Sequence, residues 1–199
     1  MGHPGRWRLA RELAAALVFA GLREVHGVLL GVARGATLEA LPLSGGLDFA
    51  PSAFRFLGEQ RAHGETHLGA ALGDLPTGFA RGDAVVISDF LDPHGAERGL
   101  ETLAAAGWRA DLCRIRAAGE LDLPPGGAWV LDPEGSGRTQ VPEDASARRA
   151  VHDALERSDA ALAEAARRRG AVLVDLDAEM PLSAALTRVF AALAGARRA

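Results

Sequence analysis

Apolar runs of strand length alternate with alanine-rich runs of helical length along most of this 199-residue chain. Such alternation is typical of a mostly parallel β-sheet, because the helical crossovers that parallel strands require also cover both faces of the sheet. Near-continuous apolar runs such as Ala84–Ser88 and Ala171–Leu176 favour strands buried on both sides. The pattern therefore predicts a three-layer α/β fold, and we expect a single domain spanning residues 1–199.

The individual elements can be assigned from the same pattern. The predicted strands are Val25–Ala33, Thr37–Leu43, Ala84–Ser88, Ala110–Ile115, Ala128–Leu131 and Ala171–Leu176, and the predicted helices are Arg8–Leu22, Ala50–Gln60, His67–Leu72, Pro93–Ala106, Ala145–Arg169 and Ser183–Ala194. Glycine-rich turns around the first two strands indicate a hairpin or a sheet edge. A second, shorter hairpin is predicted between Ala128–Leu131 and the run Thr139–Val141, across a turn rich in Pro, Gly and Asp.

Composition excludes several classes of function. All 22 basic residues are arginine, so a P-loop and a Schiff-base lysine are excluded. The net charge of −4 gives no general reason to bind nucleic acid, and we expect no nucleic-acid partner. Cys113 is the only cysteine; its presence alone excludes an internal disulfide and fits a reducing compartment, and we expect a cytoplasmic protein.

The apolar segment Leu9–Leu22 is interrupted by Glu12 and is too short to span a bilayer, which favours a buried amphipathic helix over a signal peptide.

Polar residues cluster where the predicted strand Ala84–Ser88 ends. Asp89 follows the strand directly, and Asp92 precedes Pro93, a combination typical of a helix N-cap followed by proline at the first helical position. Thr66 lies just before another predicted helix and is either its N-cap or a ligand. Because ligands of open α/β sheets collect at the carboxyl ends of strands, Asp89 and Thr66 are candidate ligands for a hard cation such as Mg²⁺, Mn²⁺ or Ca²⁺.

Other reactive side chains offer weaker sites. Ser88 stands beside Asp89 but lacks the Gly-x-Ser-x-Gly elbow of a nucleophilic serine. Cys113 lies inside an apolar strand, where we expect an inert thiol.

The segment Gly-Asp-Ala-Val-Val-Ile-Ser-Asp-Phe-Leu-Asp, residues 82–92, resembles a strand segment of the bacterial family called domain of unknown function 58, whose members contain a von Willebrand factor A-like domain. Similar pieces follow in the family's order through nearly the whole chain: Gly64-Glu65-Thr66-His67-Leu68, Gly107-Trp108-Arg109-Ala110-Asp111, Glu120 to Pro124, Asp132 to Gly135 and Gly170 to Asp177. The resemblance implies a von Willebrand factor A fold with a metal-ion-dependent adhesion site. It assigns Thr66 to the second metal loop and Asp89 to the third.

One part of the family pattern is missing. The Asp-x-Ser-x-Ser motif that opens the adhesion site is absent, and the segment from Met1 to Ala14 resembles the family's continuation after that motif. We therefore hypothesise that Met1 is an internal methionine and that the first, central strand lies upstream. The alternative is a degenerate domain that has lost its metal site and folds without that strand. Thr66 and Asp89 alone would leave Mg²⁺ with too few ligands, so its binding is expected to be weak or absent.

The resemblance implies a non-enzymatic protein-interaction module that works beside a MoxR-type AAA+ ATPase in assembling or activating other proteins. Its partner would be a protein, and a bound metal would present an open coordination position to a carboxylate of that partner. Two alternatives remain. One is a Mg²⁺-dependent phosphoryl-transfer or hydrolytic enzyme that uses Asp89 and Asp92, and the other is a structural domain without a ligand.

Overall fold

A computed structural model describes residues 4–24, 27–62, 66–76, 81–91, 93–117, 129–131, 138–140 and 145–196. Its elements, in chain order, are α1 (Pro4–Glu24), β1 (Gly27–Arg34), β2 (Thr37–Ser44), α2 (Ala50–Glu59), α3 (Leu68–Ala71), β3 (Asp83–Ser88), α4 (Pro93–Ala105), β4 (Arg109–Arg116), β5 (Trp129–Leu131), β6 (Arg138–Gln140), α5 (Ala145–Arg168), β7 (Leu173–Asp177) and α6 (Leu182–Ala196). Short 3₁₀ turns precede α2 and follow α3. The predicted strands and helices are confirmed, with bounds that shift by a few residues.

The main sheet is parallel and has the order β3-β4-β7. Alternate side chains of its strands point to opposite faces. One face packs against α1 and α6 around Leu9, Ile115 and Val189, and the other packs against α4 and α5 around Leu103 and Leu162. The predicted α/β fold with helices on both faces of a parallel sheet is therefore confirmed.

The apolar strands β3 and β7 pack against the cores on both faces of the sheet, as predicted, but they are less completely buried than expected. Every residue of β3 from Ala84 to Ser88 is only partly buried, and Asp175 and Asp177 of β7 are exposed. The reason is strand order: within the described residues, β3 and β7 form the two edges of this sheet and β4 lies between them. Of the three strands in this sheet, only β4 has a long stretch, Ala110–Ile115, in which every residue is buried.

The first two strands form a separate antiparallel hairpin, as predicted. Helix α1 connects it to the main sheet: Leu9 and Leu13 pack in the sheet core, whereas Val18 and Leu22 pack with the hairpin and α2. The strands β5 and β6 pair as the predicted short antiparallel hairpin. Within the described residues, none of the helices has the combined length and apolar character that crossing a bilayer requires.

Candidate functional site

Asp89 lies directly after β3, at the carboxyl end of a parallel strand, as the sequence predicted. The turn that follows is tight, because Phe90 adopts φ 51°, the one positive φ among the described residues other than glycine. This conformation is costly for a bulky residue. It is stabilised by the burial of Phe90 in the core against α4 and by a 3.1 Å hydrogen bond from its backbone N–H to Ser88 Oγ. The local sequence thus holds Asp89 at a defined position beside a strained turn.

The carboxylate of Asp89 faces α1. Its Oδ2 accepts a 2.9 Å hydrogen bond from Arg6 Nη1, and its Oδ1 accepts a longer one, 3.4 Å, from Ser88 Oγ. The side chains of Arg6 and Asp89 are only 8% and 11% exposed. Asp89 is therefore one half of a largely buried ion pair that joins residues 83 positions apart.

Thr66 is held by different elements. It forms an isolated parallel bridge with Gly35 in the turn of the first hairpin, and the backbone N–H of His67 donates to Gly35 O at 2.8 Å. Helix α3 begins at Leu68, and its N-cap is His67 without a side-chain cap. The interpretation of Thr66 as an N-cap was therefore wrong, because the helix begins one residue later than that interpretation requires.

Asp92 lies outside the described residues, so its predicted capping role stays a prediction. The helix that it was predicted to cap does begin at Pro93.

A second group of charges, which the sequence analysis missed, lies on the opposite face of the sheet, also toward the carboxyl ends of its strands. Arg114 Nε and Nη2 donate to the two carboxylate oxygens of Asp175 at 2.5 and 3.1 Å, and Arg114 Nη1 donates to Asp159 Oδ1 at 2.9 Å. Arg116 also donates to that oxygen of Asp159. We call Arg114, Arg116, Asp159 and Asp175 the arginine cluster. The sequence feature that could have revealed this cluster is the presence of charged residues in the apolar run that forms the central strand, β4.

Cys113 is fully buried, as expected for an inert thiol. Burial, assisted by the nearby negative charge of Asp111, raises the pKa of its thiol to about 12. The carboxylate of Asp111 accepts a 2.9 Å hydrogen bond from the backbone N–H of Val172, which gives it a structural role between β4 and the segment before β7.

The side chains near Asp89 and Thr66 show whether a divalent cation could be held there. Asp89 already has a guanidinium as its counter-charge, and the described contacts of Thr66 are made with the first hairpin rather than with the turn after β3. No three His, Cys, Asp or Glu side chains within the described ranges are grouped so that they could hold a metal ion. Mg²⁺ takes several oxygen ligands in octahedral geometry. The described residues therefore do not fit a tightly held metal, and the assignment of Thr66 and Asp89 as ligands stays a prediction.

An apolar groove of about 480 Å³ lies between α1, α2 and α6. It is lined by Glu12, Ala15, Ala16, Phe19, Ala20, Phe54, Leu182, Leu186 and Phe190. The three phenylalanines, Phe19, Phe54 and Phe190, are 41%, 45% and 44% exposed. Three aromatic rings from three helices thus converge on one open surface.

Comparison with known proteins supports the resemblance seen in the motifs. Residues 4–175 match the model of the family described as Protein of unknown function DUF58. Comparisons with curated proteins and with solved structures gave no significant match. The family match covers most of the chain, including Asp89, Arg114 and Asp175, and the chain therefore belongs to the DUF58 family.

Proposed function

We propose that this chain is a non-enzymatic protein-interaction module of von Willebrand factor A type. Membership of the DUF58 family and the α/β fold with helices on both faces support the coarser part of this proposal. The partnership with a MoxR-type AAA+ ATPase, the role in assembling or activating other proteins and the cytoplasmic location rest on the family resemblance.

The observation that carries the interaction role is the aromatic groove between α1, α2 and α6. Partly exposed phenylalanines at Phe19, Phe54 and Phe190 surround a surface that is otherwise lined mainly by Ala and Leu. Contiguous apolar surface of this kind marks sites where proteins dock, and buried aromatic anchors contribute most of the binding energy at such sites. We assign the groove to a protein partner, with the MoxR-type ATPase as the first candidate.

The charged residues near the strand ends favour binding over catalysis. Asp89 is paired with Arg6, and Asp175 is paired with Arg114. A carboxylate that acts as a general base must be able to reach a substrate proton. Both carboxylates are instead held by guanidinium groups of the protein. The hydrolytic alternative, which uses Asp89 with Asp92, would require Arg6 to release Asp89.

The proposal is tested by binding of the purified chain to the purified MoxR-type ATPase encoded in the same genome, measured by isothermal titration calorimetry with and without ATP. Phe54→Ser and Phe190→Ser should each weaken binding by about tenfold or more, because they remove an aromatic anchor from the groove. Phe49→Ser is the matched control, since Phe49 is 39% exposed and does not line the groove.

Two outcomes would count against the proposal. If the wild-type chain does not bind the ATPase, the partnership is wrong; if Phe49→Ser weakens binding as much as Phe54→Ser does, the groove is not the docking surface. Turnover of a simple phosphoester that requires Mg²⁺ and is lost in Asp89→Asn would favour the enzymatic alternative instead.

A further inference from the structure

The neighbourhood of Asp89 already contains a cation, supplied by the protein itself. Arg6 Nη1 lies 2.9 Å from Asp89 Oδ2, while Ser88 Oγ contacts Oδ1 at 3.4 Å. With 11% of the Asp89 side chain exposed, little of the carboxylate surface is open to solvent or to a solute. A further ligand at Oδ2 would therefore compete with Arg6 for the carboxylate.

Charge balance opposes a second cation at the same carboxylate. The guanidinium carries one positive charge at all accessible pH values, and it has no lone pair with which to bind a metal. A divalent ion at Asp89 Oδ2 would stand next to this charge in a poorly hydrated environment, where like charges repel strongly. For the ion to bind, Arg6 would have to move, and its side chain, which is 8% exposed, would lose its ion pair with Asp89.

The position of Arg6 gives the pair a structural consequence. Arg6 lies in the first turn of α1, the helix whose first half packs on the main sheet and whose second half packs on the first hairpin. A contact that ties this turn to the end of β3 therefore helps to fix how α1 lies between the two sheets.

We infer that Arg6 takes the place of a divalent cation at Asp89, so that the pair acts as a metal-independent clamp between α1 and β3. Divalent cations bind at Asp89 only when Arg6 is removed. This inference does not depend on the proposed partner or on the groove, and it is tested on the isolated chain.

The test compares thermal unfolding and Mn²⁺ binding in four proteins: wild type, Arg6→Leu, Asp89→Asn and the double variant. The wild type should show the same Tm with and without millimolar Mn²⁺, and no loss of the free Mn²⁺ signal in electron paramagnetic resonance. Arg6→Leu should lower Tm by roughly 10 °C, because it breaks the ion pair of a carboxylate that is only 11% exposed. Mn²⁺ should restore part of that loss in Arg6→Leu and none of it in the double variant.

Arg8→Leu is the matched control. Arg8 also lies near the start of α1, where it pairs with Glu12 at 3.4 Å and donates a 3.1 Å hydrogen bond to Ala178 O. It is 45% exposed and has no described contact with Asp89, so its loss should lower Tm less than Arg6→Leu does and leave the response to Mn²⁺ unchanged. Mn²⁺ binding by the wild type that disappears in Asp89→Asn would overturn the inference. An Arg6→Leu protein that stays equally destabilised in Mn²⁺ would also overturn it. If Arg6→Leu does not fold, Mn²⁺ binding to the wild type and Asp89→Asn still decides.

Discussion

The Arg6–Asp89 pair and the arginine cluster both lie toward the carboxyl ends of the strands, but they differ in how well water can replace a lost partner. The Arg6–Asp89 pair is closed on both sides, with side chains 8% and 11% exposed. In the arginine cluster only Arg114 is equally buried, at 8%, while Asp159 and Asp175 are 35% and 48% exposed. Because desolvation governs the energy of buried charges, the closed pair should depend strictly on both members. The open cluster should tolerate loss of a carboxylate.

The two groups also connect different parts of the molecule. Arg6 reaches from α1 to the end of β3, whereas Arg114 joins the central strand β4 to β7 and to α5. The first contact lies on the α1 side of the sheet and the second on the α5 side. Arginine–aspartate ion pairs therefore stabilise both faces of the sheet at the carboxyl ends of its strands. The pair on the α1 side is buried, and the cluster on the α5 side is partly hydrated.

Asp89→Asn should show the largest effect, because it breaks the ion pair of a guanidinium that has almost no access to water. We expect a loss of about 3–5 kcal/mol in the free energy of unfolding, the range for breaking a buried ion pair from one side. Chemical denaturation of the variant and of Arg6→Leu/Asp89→Asn measures this. The double variant should recover part of the loss; additive losses would show that the two residues do not interact.

Arg114→Leu should cost less, about 1.5–3 kcal/mol, the value of hydrogen bonds to charged groups. The two carboxylates that it leaves behind are partly exposed and can be rehydrated. Arg114→Lys is the matched variant that keeps the positive charge but loses the bidentate hydrogen bonding to Asp175. Denaturant midpoints of both variants measure the difference. A loss in Arg114→Leu as large as that in Asp89→Asn would contradict the distinction between the closed pair and the open cluster.

Much of the fold was predictable because the signals are local. The apolar runs that became β3, β4 and β7, the glycine turns of the first hairpin and the start of α4 at Pro93 each depend on a few neighbouring residues. Which strand would lie in the middle was not predictable, since it depends on strand order. The run of β3 is more apolar than that of β4, yet β4 is the buried strand.

The candidate site was predictable only in part. Asp89 was identified because it follows an apolar strand directly, a local signal. Its partner Arg6 is 83 residues away and sits in a helix whose other arginines face elsewhere, so nothing in the sequence pattern pairs the two. Thr66 was expected either to cap a helix or to bind a metal; the helix begins one residue later, and the backbone of Thr66 and His67 pairs with Gly35.

Cys113 and its neighbour Arg114 point to opposite faces of β4. The thiol of Cys113 therefore tests the face that does not carry the arginine cluster. The pKa of its thiol is raised from 9.0 to about 12 in the folded chain. A raised pKa contributes stability that is complete below pH 9 and is lost as pH rises toward 12, because the unfolded chain releases the proton first. The chain has no lysine and no tyrosine, so few other groups titrate there.

Between about pH 8 and pH 10 we therefore expect the wild type to lose about 1.4 kcal/mol in the free energy of unfolding. Cys113→Ala should abolish most of this pH dependence, and Ellman's reagent should not react with the native wild type below the unfolding transition. An equal pH dependence in both proteins would show that Cys113 is not the group that titrates.

Asp175→Asn should have the smallest effect, and it tests the open cluster most directly. Asp175 is half exposed, so its ion pair with Arg114 competes with hydration, and the asparagine oxygen can still accept one of the two hydrogen bonds. We expect a loss below about 1 kcal/mol at low ionic strength, which shrinks further in about 1 M NaCl because exposed charges are screened. Asp89→Asn, measured in parallel, should keep most of its larger loss in the same salt, since a buried pair is screened much less. If salt reduced both losses by the same fraction, the closed pair would be as accessible to ions as the cluster, and its burial would not explain its stability.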